Sequence, residues 1–488
     1  MKGKGLWGKQ HTAKEKVMIQ FGTGGWRAII GDGFTRQNIQ LLAKAMSMKM
    51  KKEHVEQEGI VIGYDRRFLS KEAVKWACEV FAAEGIPCLF VNRSSPTPLI
   101  MFYVEKHQMH YGMMVTASHN PAIYNGFKVF TYGGRDASQE QTQEIERYAK
   151  EAEKLGEIPY MEYEKALEKG MVKEFNPLNE YLDNIIANID MKAIRDRGLH
   201  IVLDPMYGVS QTSIKTILST ARCEVDLIHE THDTLFGRRM PAPSRESLTE
   251  LCTYVREMNC DLGIATDGDA DRLGVVDDQG RYLTANDILM LLYYYLLRYK
   301  GWRGPAVRNV ATIHMLDRMA ESFGEVCHEV PVGFKYISAK MQETDAIIGG
   351  ESSGGLTVRG HINGKDGIYA ASLLVEMVAV TGKRLSLLQE EIQKEYGTSY
   401  MEEHSYRFSS ERKEELKQVL FKEKKLPDFE YGVEKISYLD GCKVYFENGG
   451  WIIARFSGTE PLLRIFCEME DQEKAEKCCT LFRDFLHL

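Results

Sequence analysis

The sequence predicts an α/β protein built from three related domains and a smaller C-terminal α+β domain. A unit of strand, helix and strand occurs three times, within residues 59–91, 199–228 and 306–330. Short apolar strands that alternate with helices of about ten residues are typical of α/β folds. The last part of the chain differs, because a hairpin, a strand and a terminal helix follow one another there. A length of 488 residues leaves room for roughly three or four domains.

The three units share the same order of elements. Their predicted strands and helices are 59–63, 71–83 and 88–91 in the first unit, 199–203, 211–218 and 223–228 in the second, and 306–311, 315–323 and 326–330 in the third. A further strand is predicted at 113–115, and the apolar run 288–297 predicts a buried helix. Three copies of one unit suggest three related domains.

Polar stretches separate the units. Residues 150–175 predict a charged, helical connector, and a Lys- and Glu-rich run at 411–425 predicts a solvated helix face. In the last domain a Glu-Asn-Gly-Gly turn at 447–450 predicts a hairpin, followed by a strand at 462–467 and a helix at 472–485. The predicted boundaries are a tail at 1–17 and domains at 18–160, 175–278, 279–395 and 405–488.

Composition limits the possible classes of function. Hydrophobic residues make up 44% and charged residues 27% of the chain, as expected for a soluble globular protein. A net charge of −8 with both signs scattered argues against nucleic acid as the main partner, although a local cationic cleft could bind an anionic substrate. The apolar run 288–297 is too short to span a bilayer, so we expect no membrane partner.

The cysteines and the N-terminal segment indicate a reducing cytosol. The ten cysteines are irregularly spaced and form no Cys-x-x-Cys pair, so neither a zinc knuckle nor a redox pair is predicted. The first 16 residues are basic and polar without an apolar core, unlike a secretory signal. We therefore expect a cytoplasmic protein with reduced cysteines.

A serine stands just after the predicted strand 113–115. The sequence there is Thr-Ala-Ser-His-Asn-Pro at 116–121, and Asn-Pro is a turn signal. Ser118 is therefore expected on a tight loop with an exposed hydroxyl that could carry a phosphoryl group. Lys128 follows ten residues later in Asn-Gly-Phe-Lys. The alternative is an Asx-type turn with an incidental serine.

Three aspartates at alternate positions follow the apolar residues 262–265. Asp267, Asp269 and Asp271 can converge on one hard cation, and carboxylate oxygens favour Mg²⁺ or Ca²⁺. An EF-hand would need glycine at its sixth loop position, where Arg272 stands, so that alternative is disfavoured. A solvated acidic turn is the other alternative. Arg272 fits an anion that bridges the metal and the protein.

Other glycine-rich or polar segments offer groups for anions and sugars. A Gly-Thr-Gly-Gly-Trp-Arg run lets the backbone approach a ligand closely, a Gly-Glu-Ser-Ser-Gly-Gly loop offers a carboxylate for sugar hydroxyls, and an Arg-Phe-Ser-Gly-Thr turn offers donors for phosphate. Without further context each could be an ordinary turn, and a histidine beside them is more often structural. The candidate residues in these segments are Arg27, Lys335, Glu351, Ser353, His361, Lys365, Arg455, Ser457, Gly458, Thr459 and Arg464.

Taken in order along the chain, these segments resemble the α-D-phosphohexomutases, the phosphoglucomutase/phosphomannomutase family. The resemblance covers nearly the whole chain and implies α/β domains with mixed sheets around a central cleft. It implies that Ser118 is the phosphoserine, that Arg27 faces it, and that its oxygen binds Mg²⁺ together with the three aspartates. It also implies catalytic roles near the reacting hydroxyl for His119, Lys128, His361 and Lys365.

The same resemblance implies how the substrate is held. A phosphorylated hexose would contact the sugar loop through Glu351 and Ser353, with Arg272 and Lys335 nearby. The other phosphate, which does not react, would be gripped by the C-terminal loop. The residues implied for that grip are Arg455, Ser457, Gly458, Thr459 and Arg464. The expected protein is a monomer or a homodimer.

The implied reaction interconverts glucose 1-phosphate and glucose 6-phosphate. Glucose 1,6-bisphosphate would be the intermediate and the primer, and Lys128, His361 and Lys365 are unranked candidates for the general acid and base. The sugar loop lacks the Gly-Glu-Gln-Ser-Gly form of the phosphoglucosamine mutases. It therefore favours phosphoglucomutase, with a phosphomannomutase or a dual-specificity enzyme as the alternative. A metal-dependent sugar phosphatase and a non-catalytic sugar-phosphate sensor are the alternatives of other classes.

Overall fold

The computed structural model describes residues 19–22, 24–457 and 462–488, without the side chains of 410 and 411. Within these residues the chain forms four β-sheets in succession, each packed against helices. The predicted tail at 1–17 and the candidate residues Gly458 and Thr459 lie outside the described residues.

The first sheet is mixed and has eight strands. They are β1 (Phe21–Gly22), β2 (Gly25–Ile29), β3 (Ile60–Tyr64), β4 (Cys88–Val91), β5 (Tyr111–Val115), β6 (Tyr124–Thr131), β7 (Arg135–Asp136) and β8 (Val172–Phe175). The helices of this part of the chain are α1 (Arg36–Lys52), α2 (Ser70–Ala83), α3 (Thr97–Lys106), α4 (Gln139–Glu153) and α5 (Tyr163–Glu168). Every residue of β3 and β5 is buried, as expected for parallel strands covered on both faces.

The second and third sheets have five and four strands. Their strands are β9 (His200–Asp204), β10 (Glu224–Leu227), β11 (Leu262–Thr266), β12 (Leu273–Val276) and β13 (Tyr282–Leu283), then β14 (Ala306–Asn309), β15 (Cys327–Val330), β16 (Ile348–Gly350) and β17 (Leu356–Val358). The accompanying helices are α6 (Leu178–Ala187), α7 (Met191–Arg197), α8 (Gln211–Thr220), α9 (Thr249–Met258), α10 (Ala285–Arg298), α11 (Met315–Ser322), α12 (Phe334–Thr344), α13 (Gly367–Thr381) and α14 (Leu385–Tyr396).

The first three sheets repeat one strand order. In the order β4-β3-β5-β6 the first three strands are parallel and the fourth is antiparallel, and the same holds for β10-β9-β11-β12 and β15-β14-β16-β17. This confirms the prediction of three related α/β domains. In each copy, one loop joins the third parallel strand to the antiparallel strand, so the three loops occupy equivalent positions.

The first sheet extends beyond the boundary predicted at residue 160. Strand β8 pairs in parallel with β4, and helix α5 precedes it, in a segment that the sequence predicted as a connector. The prediction missed β8 because it is a four-residue edge strand with two exposed charged residues, Lys173 and Glu174. We therefore propose that the first domain runs to Phe175.

The second and third domains share a core. Helix α13, which follows the third sheet in the chain, packs against α7 and α8 and against strands β11 and β12 of the second sheet. The buried helix predicted at 288–297 is α10, and its apolar side chains join the same cluster. Among the described residues, no helix is both long enough and apolar enough to cross a membrane.

The C-terminal sheet is antiparallel, in the order β18-β22-β21-β20-β19. Its strands are β18 (Tyr400–Arg407), β19 (Val433–Ser437), β20 (Cys442–Phe446), β21 (Trp451–Phe456) and β22 (Leu462–Met469), with helices α15 (Ser410–Lys417) and α16 (Gln472–Phe485). The run at 411–425, predicted as a solvated helix face, forms part of α15 and one π-turn at 418–422. It is not fully solvated, because Leu416 and Leu420 are buried in the domain core. Strand β18 was missed because most of its residues are polar.

Candidate active site

The loop between β5 and β6 holds Ser118 in a strained backbone conformation. Its φ angle is +50°, in the left-handed region, which costs a residue with a Cβ atom on the order of 1–2 kcal/mol. The Ser118 N–H donates to Thr116 Oγ1 at 2.8 Å, and the Asn120 N–H donates to the Ala117 carbonyl at 3.0 Å. These bonds hold a tight turn at the end of the strand, as the sequence predicts.

A buried arginine, Arg67, binds the backbone of this loop, and the sequence analysis missed it. Arg67 Nη2 donates to the carbonyl oxygens of Ser118 and Asn120, each at 2.6 Å, and its Nη1 donates to those of Pro121 and Tyr124. One planar guanidinium therefore satisfies four backbone acceptors. Its position three residues after the end of the apolar strand β3 was the only signal in the sequence.

The carboxylate of Asp65 completes this support. Asp65 Oδ2 accepts from Thr116 Oγ1 at 2.7 Å, and its Oδ1 accepts from Ser70 Oγ at 3.0 Å and from the Arg67 N–H at 2.9 Å. The loop that bears the serine is thus tied to β3 through buried charged hydrogen bonds, which are stronger than neutral ones.

The Ser118 side chain is buried, contrary to the expected exposed hydroxyl. It is 1% exposed because the loop between β11 and β12 covers it. Ser118 Oγ donates to Asp267 Oδ2 at 2.8 Å and lies 3.2 Å from His119 Nδ1. The two loops approach closely at Gly268, where an added Cβ would lie 2.8 Å from the Ser118 carbonyl oxygen.

The three aspartates of the β11–β12 loop converge. One carboxylate oxygen from each of Asp267, Asp269 and Asp271 lies within 4.8 Å of the others, and all three side chains are buried. Asp267 Oδ1 accepts the N–H groups of Asp271 and Arg272, each at 3.0 Å, so the turn folds around its own first carboxylate. This geometry excludes the solvated acidic turn.

Cations and a hydroxyl face this cluster from two other domains. Lys128 Nζ lies 2.7 Å from Asp269 Oδ2 and 2.6 Å from Asp271 Oδ2, and Lys365 Nζ lies 3.0 Å from Asp271 Oδ2. Thr97 Oγ1, which the sequence analysis missed, donates to Asp269 Oδ2 at 2.6 Å. Lys128, which the resemblance implied to be catalytic, reaches the cluster from β6.

The carboxylates retain acceptor atoms that would suit a cation. Asp269 Oδ1 and Asp271 Oδ1 are buried and have no hydrogen-bond partner among the described residues. Buried polar atoms are normally paired, and an ion is one explanation for such exceptions. Oxygen ligands of this kind fit a hard cation such as Mg²⁺.

Burial and charge set the protonation of the cluster. Burial and the neighbouring Asp271 and Asp269 raise the pKa of Asp267 well above its usual range. Burial acts to raise the pKa of Asp271 as well, but the Lys128 and Lys365 ammonium groups lower it well below its usual range. Burial acts to lower the pKa of Lys128, yet Asp269 and Asp271 raise it, so Lys128 is positively charged.

His119 and Arg27 flank the serine. Burial and the charge of Arg272 lower the pKa of His119 far below its usual range, so its imidazole is neutral. Arg27, on β2, donates from Nη1 to Asn120 Oδ1 at 2.6 Å and so lies against the Ser118 loop. Burial lowers the pKa of Arg27, and its Nε has no hydrogen-bond partner among the described residues.

The loop between β16 and β17 joins the cluster from the third domain. Arg272 and Gly355 form an antiparallel bridge, and the Leu273 N–H donates to the Gly354 carbonyl at 3.2 Å. The Gly367 N–H donates to the Ala270 carbonyl at 3.1 Å, which brings the segment with Lys365 onto the acidic loop. The three equivalent loops of the three α/β domains therefore meet at one place.

The predicted sugar loop is anchored by its carboxylate. Glu351 is buried, and its Oε1 accepts the Gly333 N–H at 3.3 Å while its Oε2 accepts from Ser353 Oγ at 3.1 Å. Ser353 is exposed. Lys335 lies in the first turn of α12, two residues after Gly333. Glu351, Ser353 and Lys335 thus occupy one region beside the acidic loop.

Asp136 also faces this region, and the sequence analysis did not include it. It lies on β7 opposite Phe130 of β6, so its side chain is on the same face of the sheet as Lys128. Burial raises the pKa of Asp136, although Lys365 and Lys128 act against it. No local motif marks this aspartate, since only the pairing of β7 with β6 places it there.

The structure does not bring His361 to the acidic cluster. Its ring is buried and stacks on Tyr369, and its Nε2 lies 2.6 Å from Asp366 Oδ2. Asp366 caps helix α13 through the N–H groups of Ile368 and Tyr369. This is the structural role that the residue alone suggested, and it leaves Lys365 as the group of this segment that contacts the cluster.

The C-terminal domain contributes two arginines on neighbouring strands. Arg455 and Arg464 stand directly opposite each other on β21 and β22, an arrangement that is unfavourable for like charges unless anions compensate. Arg455 Nε lies 2.8 Å from Asp440 Oδ2, and Arg464 Nη1 lies 3.6 Å from Glu403 Oε1. Ser457 follows β21 and is buried.

Family models match four consecutive parts of the chain. They are the phosphoglucomutase/phosphomannomutase alpha/beta/alpha domains I, II and III, at residues 18–156, 179–280 and 284–396, and the C-terminal domain of the same family at residues 411–485.

Individual relatives match along nearly their whole length. A phosphoglucomutase/phosphomannomutase from Thermococcus kodakarensis is 30% identical over 465 residues, covering 94% of this chain and 97% of the relative. A probable phosphoglucosamine mutase from Pyrococcus abyssi is 31% identical over 463 residues, covering 93% and 95%. Among solved structures, a protein assigned as a phosphomannomutase from Thermus thermophilus has a TM-score of 0.84 at 29% identity, covering 97% of this chain and 100% of that one.

Proposed function

Because the chain belongs to the phosphoglucomutase/phosphomannomutase family, a family of isomerases, we propose that it interconverts glucose 1-phosphate and glucose 6-phosphate. Ser118 carries the phosphoryl group, and glucose 1,6-bisphosphate is the intermediate and the primer. The observation that carries the proposal is the contact of Ser118 Oγ with Asp267 Oδ2 inside a cluster of three converging carboxylates.

The proposed reaction has two transfers through one serine. The phosphoryl group leaves Ser118 Oγ for a free hydroxyl of the hexose monophosphate. The hydroxyl proton passes to a base, and Ser118 Oγ takes up a proton as its bond to phosphorus breaks. The bisphosphate then turns, and its other phosphoryl group returns to Ser118 Oγ. The charged Lys128 and Arg27 stabilise the negative charge that spreads over the phosphoryl oxygens during each transfer.

Asp267, Asp269 and Asp271 would hold Mg²⁺ together with the oxygen of Ser118. Members of this family use Mg²⁺, and the unpartnered buried oxygens Asp269 Oδ1 and Asp271 Oδ1 suit it. The ion would neutralise phosphoryl charge and polarise the phosphorus for attack. Thr97 and Lys128 hold the carboxylate of Asp269 in place.

The base in this proposal is Asp136. Lys128 is bound by two carboxylates as an ammonium group, and Lys365 is paired with Asp271. The His361 ring is buried against Tyr369 and Asp366 and does not face the acidic cluster. Asp136 lies on the face of the sheet that carries Lys128, and its raised pKa makes it a better base than an ordinary carboxylate.

Asp136→Asn should lower kcat about 100-fold or more and remove the acidic limb of the pH profile of kcat, with partial recovery in Asp136→Glu. An unchanged profile would exclude this role.

The choice of glucose rests on the sugar loop. Its Gly-Glu-Ser-Ser-Gly-Gly sequence departs from the phosphoglucosamine mutase form, while relatives of similar identity carry the names of phosphoglucomutases, phosphomannomutases and phosphoglucosamine mutases. Steady-state rates on the 1-phosphates of glucose, mannose and glucosamine, with the matching bisphosphate present, test the choice. A higher kcat/KM for glucose 1-phosphate is expected, and a higher value for either other sugar would overturn it.

The same assay separates the alternatives of other classes. Release of inorganic phosphate, measured beside isomerisation, should remain far below the mutase rate. A phosphatase would release phosphate as fast as substrate disappears. A sensor would bind glucose 6-phosphate without turnover in the wild-type protein and equally well in Ser118→Ala.

A further inference from the structure

A second cluster of metal-ligating side chains lies at the opposite end of the second sheet. His200 is the first residue of β9, Asp226 lies in β10, and Cys260 stands two residues before β11. The acidic loop follows the other end of β11. Five residues of strand separate the two places, which is about 16 Å at a rise of about 3.3 Å per residue. The two clusters are therefore independent.

The three ligand atoms already point to one place. His200 Nε2 lies 2.8 Å from Asp226 Oδ2 and 3.8 Å from Cys260 Sγ, and all three atoms lie within 4.8 Å of one another. A tetrahedral zinc site with bonds of about 2.0–2.3 Å has ligand atoms about 3.3–3.8 Å apart. Small side-chain rotations would therefore suffice to bind an ion.

The arrangement differs from a proton relay of Cys, His and Asp. In such a relay the carboxylate holds one ring nitrogen while the other nitrogen faces the thiol. Here a single nitrogen, Nε2 of His200, faces both Asp226 and Cys260. The imidazole therefore cannot relay a proton between Asp226 and Cys260 through its two ring nitrogens. Convergence of three ligand atoms on one point is what a metal ion requires.

The backbone fixes these positions before any ion binds. The His200 N–H donates to Asp261 Oδ2 at 2.9 Å, and the Asp261 N–H donates to the His200 carbonyl at 2.8 Å. Strand β10 pairs with β9 in register, with Glu224 opposite His200. The imidazole and the Asp226 carboxylate are 22% and 33% exposed while Cys260 is buried, so the solvent side is open for a water ligand.

We propose that His200, Asp226 and Cys260 form a Zn²⁺ site that joins three adjacent strands. The set of nitrogen, sulfur and oxygen ligands selects zinc or a similar ion over Mg²⁺, which prefers oxygen alone. Binding releases the thiol proton, leaving a zinc thiolate. The imidazole binds through Nε2 as the tautomer with its proton on Nδ1, so the hydrogen bond between His200 and Asp226 is lost. The site takes no direct part in the proposed mutase reaction, because it lies away from the serine and the acidic loop.

Co²⁺ is the probe that reports the thiolate directly. The full-length protein is first stripped of transition metals and then saturated with Mg²⁺ to occupy the acidic loop. It is then titrated with Co²⁺. A near-ultraviolet thiolate-to-cobalt charge-transfer band should reach its plateau at one Co²⁺ per chain, and Zn²⁺ should abolish it. The band should be lost in Cys260→Ser and in His200→Gln. It should persist in Cys252→Ser, because Cys252 is a partly exposed cysteine on α9 outside the cluster.

Two further measurements keep the test independent of folding and of catalysis. Zn²⁺ should slow the alkylation of Cys260 by iodoacetamide, measured by peptide mass spectrometry. Zn²⁺ should also raise the Tm of the wild type by about 2 °C or more, and it should leave the Tm of Cys260→Ser unchanged. Mutase activity of Cys260→Ser with Mg²⁺ should equal that of the wild type. Absence of the band in folded wild type, or its persistence in Cys260→Ser, would overturn the site.

Discussion

The region around Ser118 and the region around Arg455 and Arg464 are built in opposite ways. Around Ser118, loops from three domains touch, and the charged side chains are buried and bonded to one another across domain boundaries. At the C-terminal sheet two arginines face each other across paired strands, and Arg464 remains 41% exposed beside Glu403. The first region is assembled by contacts between domains, whereas each arginine of the second region is paired within the C-terminal domain, Arg455 with Asp440 and Arg464 with Glu403.

This difference between the two regions corresponds to two functions, the phosphoryl transfer and the binding of the distal phosphate. Buried charges act strongly on a reacting group because little water screens them, so the chemistry belongs at the preassembled region. A partly exposed guanidinium group such as that of Arg464 can bind and release a phosphate without a large cost in desolvation. Removing a group should therefore affect kcat in the first region and mainly KM in the second.

The largest effect is expected for Ser118→Ala. Because the phosphoryl carrier is lost, mutase activity should fall about 1000-fold or more, and a phosphate adduct seen by intact mass in the wild type should disappear. Ser138→Ala serves as the control, since Ser138 only caps α4, and its loss should cost about 1 kcal/mol of stability. Full activity in Ser118→Ala would refute the role of the buried region.

The next largest loss of activity is expected for Asp269→Asn and for removal of the metal. Loss of one carboxylate charge weakens both the affinity for Mg²⁺ and the stabilisation of phosphoryl charge, so activity should fall about 100-fold or more. Chelation should abolish wild-type activity and Mg²⁺ should restore it. Asp196→Asn, at an exposed position on α7 in the same domain, should behave as the wild type. Turnover that continues without metal would contradict the assignment.

Arg464→Ala tests the other side of the comparison. A charged hydrogen bond to phosphate is worth on the order of 1.5–3 kcal/mol, so kcat/KM should fall about ten- to a hundredfold, chiefly through KM. Phosphorylation of Ser118 by excess glucose 1,6-bisphosphate should be less affected than turnover. Arg483→Ala, an exposed arginine paired with Asp484, is the matched control. A change within about twofold would place the distal phosphate elsewhere.

The smallest effect is expected at Glu105, where the first and third domains meet. Asn363 Nδ2 donates to Glu105 Oε1 at 3.2 Å and to the Gly133 carbonyl at 3.0 Å. Burial raises the pKa of Glu105 to about 7, with Arg135 acting against it. Because this pKa exceeds that of the unfolded chain, the stabilisation is present at low pH and is lost as pH rises through about 7.

The measurement is the Tm of wild type and of Glu105→Gln at several pH values from about 5 to about 8. The Tm difference between wild type and variant should decline as pH rises, because glutamine has no proton to lose. Glu168→Gln, at an exposed position on α5, is the matched control. Parallel curves for Glu105→Gln would show that this carboxyl does not titrate in that range.

The sequence by itself determined the elements and the composition of the loops. Strand β4 and helix α16 begin and end at the predicted residues, because continuous apolar runs and helical spacing are local signals. The alternating aspartates and the serine after an apolar strand were equally visible. The polar edge strands β8 and β18 were missed, since what makes them strands is pairing with a distant partner.

Only the tertiary structure decided how the loops meet. Ser118 and Asp267 are 149 residues apart in the chain, so no local pattern could show that one buries the other. The same holds for Arg67 beneath the serine loop, for Asp136 on the face that carries Lys128, and for His200 beside Cys260. Such pairs are set by strand order and register, in which one residue of shift moves a side chain to the other face of the sheet.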